Sequence, residues 1–233
     1  MDKSSILIID DVEEIVGLVE VYLQNEGFSV YKAMNGEEGL SILENNGVDL
    51  VILDIMMPGI DGLETCRRIR QKFSIPVIML SAKTQDMDKI LGLGIGADDY
   101  MTKPFNPMEL VARVKSQLRR YLYFNHNGKR EEDNSLVRIR ELTINRRNHS
   151  VSVFDKELSL TPTEYEILLL LAGNPGTVYS AEEIFESVWK EKYYEANNTV
   201  MVHIRRLREK IEENPKEPKL LETVWGVGYK IEK

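Results

Sequence analysis

Cysteine is almost missing from this chain. A single one, Cys66, stands among 233 residues. It excludes an intramolecular disulfide and fits a reducing compartment. Long apolar runs are missing too. The N-terminal part offers only Ile6 to Ile9 with its flanks before two aspartates. Neither a signal peptide nor a membrane span is expected, so the protein is expected to be soluble and cytoplasmic, with no membrane partner. A surplus of basic charge is the third absence. The formal net charge is −8, which argues against indiscriminate binding to nucleic acid. The deficit is uneven: residues 1–122 carry 13 Lys/Arg against 19 Asp/Glu, and residues 123–233 carry 17 against 19. Any nucleic-acid surface must therefore be a local patch in the second half. With 42% hydrophobic and 29% charged residues, each half can build its own core.

What is present in the first half is organised around Val48 to Gly59. Leu50 to Leu53 is a continuous apolar run rich in β-branched residues, which reads as a strand buried on both faces. It ends on Asp54, and Pro58-Gly59 forces a turn soon after. Four other stretches read as strands: Ile6 to Ile9, a weaker one at Ser29 to Met34, Pro76 to Leu80 and a short one at Asp99 to Thr102. Helical patterns alternate with them. The first has Ile15, Leu18, Val19, Tyr22 and Leu23 on one face; the others cover residues 37–43, 62–72, 87–95 and 107–121. Gly92 and Gly94, with Gly96 just beyond, make the 87–95 helix poor, and Pro107 suits a first helical turn. Five strands alternating with five helices specify an α/β fold, a doubly wound five-stranded parallel sheet.

In a parallel sheet the strand ends share one edge. Asp10 and Asp11 end the first strand, Asp54 the third, Ser81 the fourth and Lys103 the fifth. Clustered acids repel one another unless a cation sits among them, and hard oxygen ligands with room for water suit Mg²⁺. A lysine and a hydroxyl beside them suit a bound phosphoryl group. A carboxylate can itself be the nucleophile that forms an acyl phosphate. A turnover phosphatase of the haloacid-dehalogenase type would need a second Asp two residues after Asp54. That position is Met56, which cannot move protons.

Residues 5–121 resemble the receiver domain of two-component response regulators. The resemblance rests on Ile9-Asp10-Asp11, Leu53 to Gly59, Ser81-Ala82 and Lys103-Pro104-Phe105. It implies that Asp54 takes a phosphoryl group from a sensor histidine kinase. Asp11, Asp54 and the Met56 carbonyl would ligate Mg²⁺, with Asp10 acting largely through water. Lys103 would hold the phosphoryl oxygens, Ser81 and Tyr100 would be the switch pair, and the Lys103-Pro104 bond would be cis. Self-phosphorylation and self-dephosphorylation at Asp54 would be its only enzymatic acts. A homodimer would form on phosphorylation through Lys89, Leu93, Asp99, Glu109, Ala112 and Arg113. The helical phase agrees: Leu110, Val114 and Leu118 fall on one face of the last helix, with Glu109, Ala112, Arg113, Ser116 and Arg120 opposite.

Residues 122–135 read as a linker; from Asn125 to Ser135 the stretch is polar and without apolar period. From residue 136 to 233 the pattern changes. Three short alternating runs, at Val137, Leu142 and Val151, imply a small antiparallel sheet. Thr161-Pro162-Thr163-Glu164 and Ser180 with Glu183 are capping boxes opening two helices. A third helix covers about 198–213, with Val200, Ile204, Leu207 and Ile211 as its buried stripe. At 100° per residue, Asn198, Val202, Arg205 and Arg206 point away from that stripe, with His203 and Arg208 on its flanks. Residues 198–210 hold four Lys/Arg and one Glu. A hairpin follows, Leu221 to Val224 and Gly228 to Ile231, with Trp225 at its tip. That is a helix-turn-helix with a β-hairpin wing, a DNA-binding arrangement.

Leu160 to Tyr165, Val202 to Arg208 and Thr223 to Tyr229 carry a second resemblance, to the winged-helix output domain of the OmpR/PhoB class. It implies promoter DNA, as direct repeats, and RNA polymerase as partners, with residues 190–197 as the polymerase loop. Asn198 and Thr199 begin the DNA-contacting helix, His203 and Arg205 would contact phosphates, and Arg206 and Arg208 would reach bases. Many members place Arg where this chain has Trp225, which cannot make that charged contact. The ending Val224 to Lys233 looks most like regulators of vancomycin resistance.

Overall fold

The computed structural model describes residues 3–82, 95–126, 136–147, 149–190 and 199–232. Their contacts divide the chain into two units, Met1–Tyr121 and Leu122–Lys233.

The first unit has five strands: β1 (Ser5–Ile9), β2 (Ser29–Ala33), β3 (Leu50–Asp54), β4 (Val77–Ser81) and β5 (Asp99–Thr102). All neighbours are parallel, in the order β2-β1-β3-β4-β5. Every residue of β3 and β4 is buried, as uninterrupted apolar runs require when helices cover both faces. From β1 the chain goes to β2 on one side and then crosses to β3 on the other. The strand order reverses between β1 and β3, which opens a crevice at their carboxyl ends.

The helices are α1 (Glu13–Asn25), α2 (Gly36–Asn45), α3 (Gly62–Lys72) and α4 (Pro107–His126). Asn35 caps α2 by accepting from the Glu38 N–H, and Asp61 caps α3 by accepting from the Glu64 N–H. α3 starts against the end of β3: a Cβ on Gly62 would lie 2.1 Å from the Asp54 carbonyl oxygen. Only glycine allows that approach. In α1, Leu18 is exposed and Val16 is buried instead, so the core face is rotated from the expected one. Leu110, Val114 and Leu118 do face the core. Residues 83–94, which include all but the last residue of the helix expected at 87–95, lie outside the described residues. α4 runs on to His126, so the first five residues of the expected linker are helical; residues 127–135 lie outside the described residues.

The second unit opens with an antiparallel sheet, β6 (Leu136–Ile139), β7 (Leu142–Asn145), β8 (Ser150–Val153) and β9 (Lys156–Leu158), in that order. The fourth strand was not expected. Lys156-Glu157-Leu158 lacks apolar alternation, and its two-residue hairpin turn uses Phe154 and Asp155 at φ 49° and 61°. Glycine or asparagine usually marks such a turn. Three helices follow, α5 (Pro162–Gly173), α6 (Ala181–Trp189) and α7 (Thr199–Ile211), then the hairpin of β10 (Leu221–Val224) and β11 (Gly228–Ile231). Both expected capping boxes form, at Thr161/Glu164 and Ser180/Glu183. Val200, Ile204, Leu207 and Ile211 of α7 lie in one core with Leu168 of α5, Phe185 of α6 and Ile231 of the hairpin. The hairpin is sewn to the helices at Tyr179, whose backbone exchanges two hydrogen bonds with Tyr229, both 2.9 Å.

Candidate functional site

The carboxyl ends of β1 and β3 bring Asp10, Asp11 and Asp54 together. One carboxylate oxygen of each lies within 4.8 Å of the others. Asp10 and Asp54 are buried and Asp11 is exposed, so the cluster has a dry floor and a wet rim. Lys103 follows β5 and enters from the far side. Its Nζ lies 2.6 Å from Asp10 Oδ2 and 2.6 Å from Asp54 Oδ1. The Lys103 backbone N–H donates to the Ser81 carbonyl at 2.6 Å, which ties β5's exit to β4's end, and the Lys103-Pro104 bond is cis as expected. The Met56 N–H donates to Asp54 Oδ2 (2.8 Å) and the Val12 N–H to Asp10 Oδ1 (3.0 Å). Ser81 is buried beside this cluster's strands and Tyr100 is half-buried on β5.

The electrostatics follow from burial. Loss of water is the largest influence on Asp54 and pushes its carboxyl above the usual range; Lys103 and the Met56 N–H oppose this, and Asp10 adds to it. Burial acts to lower the Lys103 ammonium, but Asp10 and Asp54 outweigh it and hold it above its ordinary value. One ammonium thus serves the two buried acids. The clustered donors are carboxylate oxygens, which suit a hard divalent cation such as Mg²⁺.

In the second unit α7 departs from expectation. Arg205 points to solvent, its side chain 81% exposed, with only Glu209 one turn on at 3.2 Å. Arg206 does not. Its side chain is 10% exposed and faces Glu164 of α5 at 3.3 Å, and Lys210 holds the same carboxylate at 2.7 Å. Val202 and His203 are buried as well, the His203 ring 5.5 Å from that of Trp189. The helical phase measured distance from one apolar stripe; α5 supplies a second wall, and a charged one. The Arg206 and His203 side chains, expected to meet a base and a phosphate, are both buried inside the domain in this structure. Arg208, expected to reach bases, is tied to the wing in this structure. Its Nε donates to the Leu221 carbonyl (2.9 Å), its Nη2 to Thr223 Oγ1 (2.8 Å), and its guanidinium lies 6.0 Å from the Tyr229 ring centre. It braces the wing rather than projecting from the helix. Thr199 is buried at the start of α7, and Asn198 lies outside the described residues, as do residues 191–197 of the expected polymerase loop. Trp225 is 90% exposed at the wing tip.

Glu164 was read only as a cap. Burial alone would raise its carboxyl, but Arg206, Lys210 and the Thr161 N–H outweigh that and hold it below the usual range. Its cations lie more than forty residues away in sequence, so no local signal could have paired them.

The expected dimer face is partly occupied within the chain. Arg113 Nη1 lies 3.0 Å from Asp99 Oδ2, and its Nη2 2.9 Å from Glu109 one turn back. Glu109 and Ala112 are exposed; Lys89 and Leu93 lie outside the described residues.

Residues 6–115 match the family described as response regulator receiver domain, and residues 155–231 match transcriptional regulatory protein, C terminal. The chain is 50% identical to the regulatory protein VanRc of Enterococcus gallinarum over 237 residues, covering 99% of this chain and 100% of that one. It is 50% identical to the regulatory protein VanR of Enterococcus faecium, again over 99% and 100%. Among solved structures, it is similar to the response regulator DrrB, a Thermotoga maritima OmpR/PhoB homolog, at 33% identity and a TM-score of 0.52 over all of both chains. No described helix is long and apolar enough to cross a membrane. An acidic pocket at a sheet's switch point, a winged helix later in the chain, and half-identity over the full length of known regulators lead to one conclusion: the chain belongs to the two-component response regulators of the OmpR/PhoB class and is a DNA-binding transcriptional regulator.

Proposed function

We propose that Asp54 is the phosphoacceptor through which a sensor histidine kinase controls this regulator. The observation that carries this is Lys103, held 2.6 Å from both Asp10 and Asp54 at the open end of the sheet. In the transfer, the bond from a kinase histidine nitrogen to phosphorus breaks, and a bond from an Asp54 carboxylate oxygen to phosphorus forms. Asp10, Asp11, Asp54 and the Met56 carbonyl would hold Mg²⁺, which when bound neutralises the acids and the incoming phosphoryl charge. Lys103 exchanges its carboxylate partners for phosphoryl oxygens. Ser81 then bonds the phosphoryl group and Tyr100 turns inward behind it, biasing a two-state receiver.

The readout is a homodimer of receivers that places two winged-helix domains on promoter direct repeats, where they meet RNA polymerase. Arg205 of α7, the exposed guanidinium, contacts the DNA backbone. The relatives named VanR and VanRc, with the resemblance of the chain's ending to regulators of vancomycin resistance, support glycopeptide-resistance genes as the targets. The test is chemical. The protein is incubated with acetyl phosphate, with and without Mg²⁺, and the modified residue is mapped by mass spectrometry. Modification at Asp54 that needs Mg²⁺ is expected; equal labelling of Asp54→Asn would remove the assignment.

A further inference from the structure

α7 shows solvent a narrow line rather than a broad face. Of its residues only Met201, Arg205 and Glu209 are exposed, at positions i, i+4 and i+8. Burial takes Val202, His203 and Arg206 out of reach, and the wing takes Arg208. Met201 is the sole apolar side chain of α7 with half its surface in water, 50%. The others, Val200, Val202, Ile204, Leu207 and Ile211, are all buried. Single exposed apolar residues are common on protein surfaces and by themselves carry nothing. This one stands a turn before Arg205, whose guanidinium is the most exposed cation of the helix and is tied only by an exposed, weak ion pair that a phosphate can displace.

The N-terminal residues of a recognition helix lying in the major groove contact base edges, and Met201 is the third residue of α7. The major groove offers one apolar group, the 5-methyl of thymine. The unbranched, polarisable methionine side chain adapts its shape to such a contact. We propose that Met201 is a specificity-determining residue that reads a thymine methyl in each half-site. This rests on the reading of α7 as the DNA-contacting helix.

A duplex is recovered from a random-sequence library by the full-length protein treated with Mg²⁺ and beryllofluoride. Each thymine is then replaced in turn by uracil, which removes only the methyl. One thymine per half-site is expected to weaken wild type about fourfold when replaced, the worth of one buried methyl-sized group, about 0.8 kcal/mol, at 1.4 kcal/mol per tenfold. Met201→Ala is expected to lose that sensitivity and Met201→Leu to keep it; the site is exposed, so neither substitution disturbs the core. Wild type indifferent to every uracil, or Met201→Ala as sensitive as wild type, overturns the proposal. The underlying reading is tested separately by Arg205→Ala. If that variant binds the selected duplex as tightly as wild type, α7 is not the DNA-contacting helix, and the Met201 proposal falls with it. If it binds weakly while uracil has no effect, only the Met201 proposal fails.

Discussion

Lys103 shows how much of the pocket depends on a single side chain. It pairs with Asp10 and Asp54 at once, yet burial still leaves Asp54 easier to protonate than an ordinary aspartate. The sign of the consequence is fixed by linkage. A carboxyl whose folded pKa lies above its unfolded one stabilises the fold fully below the unfolded pKa, and that contribution is lost as pH rises through the folded pKa. Ionised Asp54 is thus a cost at neutral pH without a cation. Asp54→Asn is expected to stabilise the metal-free receiver at pH 7 and to lose that advantage below pH 4, as read by urea unfolding at both. A mutant no more stable than wild type at pH 7 would show that Asp54 carries no such cost. Arg208 makes a second residue-scale case. Arg208→Ala removes two charge-assisted hydrogen bonds to the wing and should cost about 2 kcal/mol, with faster hydrogen exchange at residues 221–224. Arg208→Lys keeps the charge but loses the fork; full rescue by it would mean that charge, not bracing, is what matters. The pocket residues were legible in the sequence because each ends a strand, where side-chain position follows from topology. The bracing role of Arg208 was not, because it depends on where β10 returns.

At the scale of elements, α7 is where sequence reasoning and structure part. Its buried stripe was readable from spacing, but its second buried face belongs to α5 and to Glu164, far away in sequence. The fourth strand, β9, was missed for a related reason: three residues held by pairing to β8 carry no period of their own. Arg205 and Arg206 are neighbours in sequence with opposite roles, which gives a sharp test. Arg206→Ala strips one cation from buried Glu164 and should destabilise the second domain by about 3 kcal/mol. Arg205→Ala should leave stability within about 0.5 kcal/mol and weaken DNA of every sequence, lowering the salt slope by about one. Thermal melts and salt titrations of both variants check this. The Glu164 cluster also sets an acid limit. Its carboxyl is held below the usual range, so its contribution is present above the unfolded pKa and is lost as pH falls through the folded one. Glu164→Gln should flatten the acid limb of the second domain's stability curve.

For the whole molecule, the two domains were separable from charge, periodicity and the polar stretch near residue 125. The end of α4 was not, because no glycine or proline marks a stop between Pro107 and Gly128. In the mechanism proposed above, phosphorylation reaches DNA binding through assembly. Within one chain Arg113 already pairs with Asp99 and Glu109, so a dimer on this face must extend or exchange those pairs. Exposed pairs are individually weak, and the unphosphorylated protein is expected to be mostly monomeric by light scattering. Arg113→Glu should stay monomeric when activated; dimerisation like that of wild type would move the interface elsewhere. The most direct measurement is the affinity of full-length protein for its library-selected duplex, before and after acetyl phosphate with Mg²⁺, for wild type and Asp54→Asn side by side. Tighter binding by wild type alone, in step with the fraction modified at Asp54, is the expected result. Asp54→Asn that binds as tightly as phosphorylated wild type, or that tightens equally with the donor, would contradict control of this regulator through Asp54.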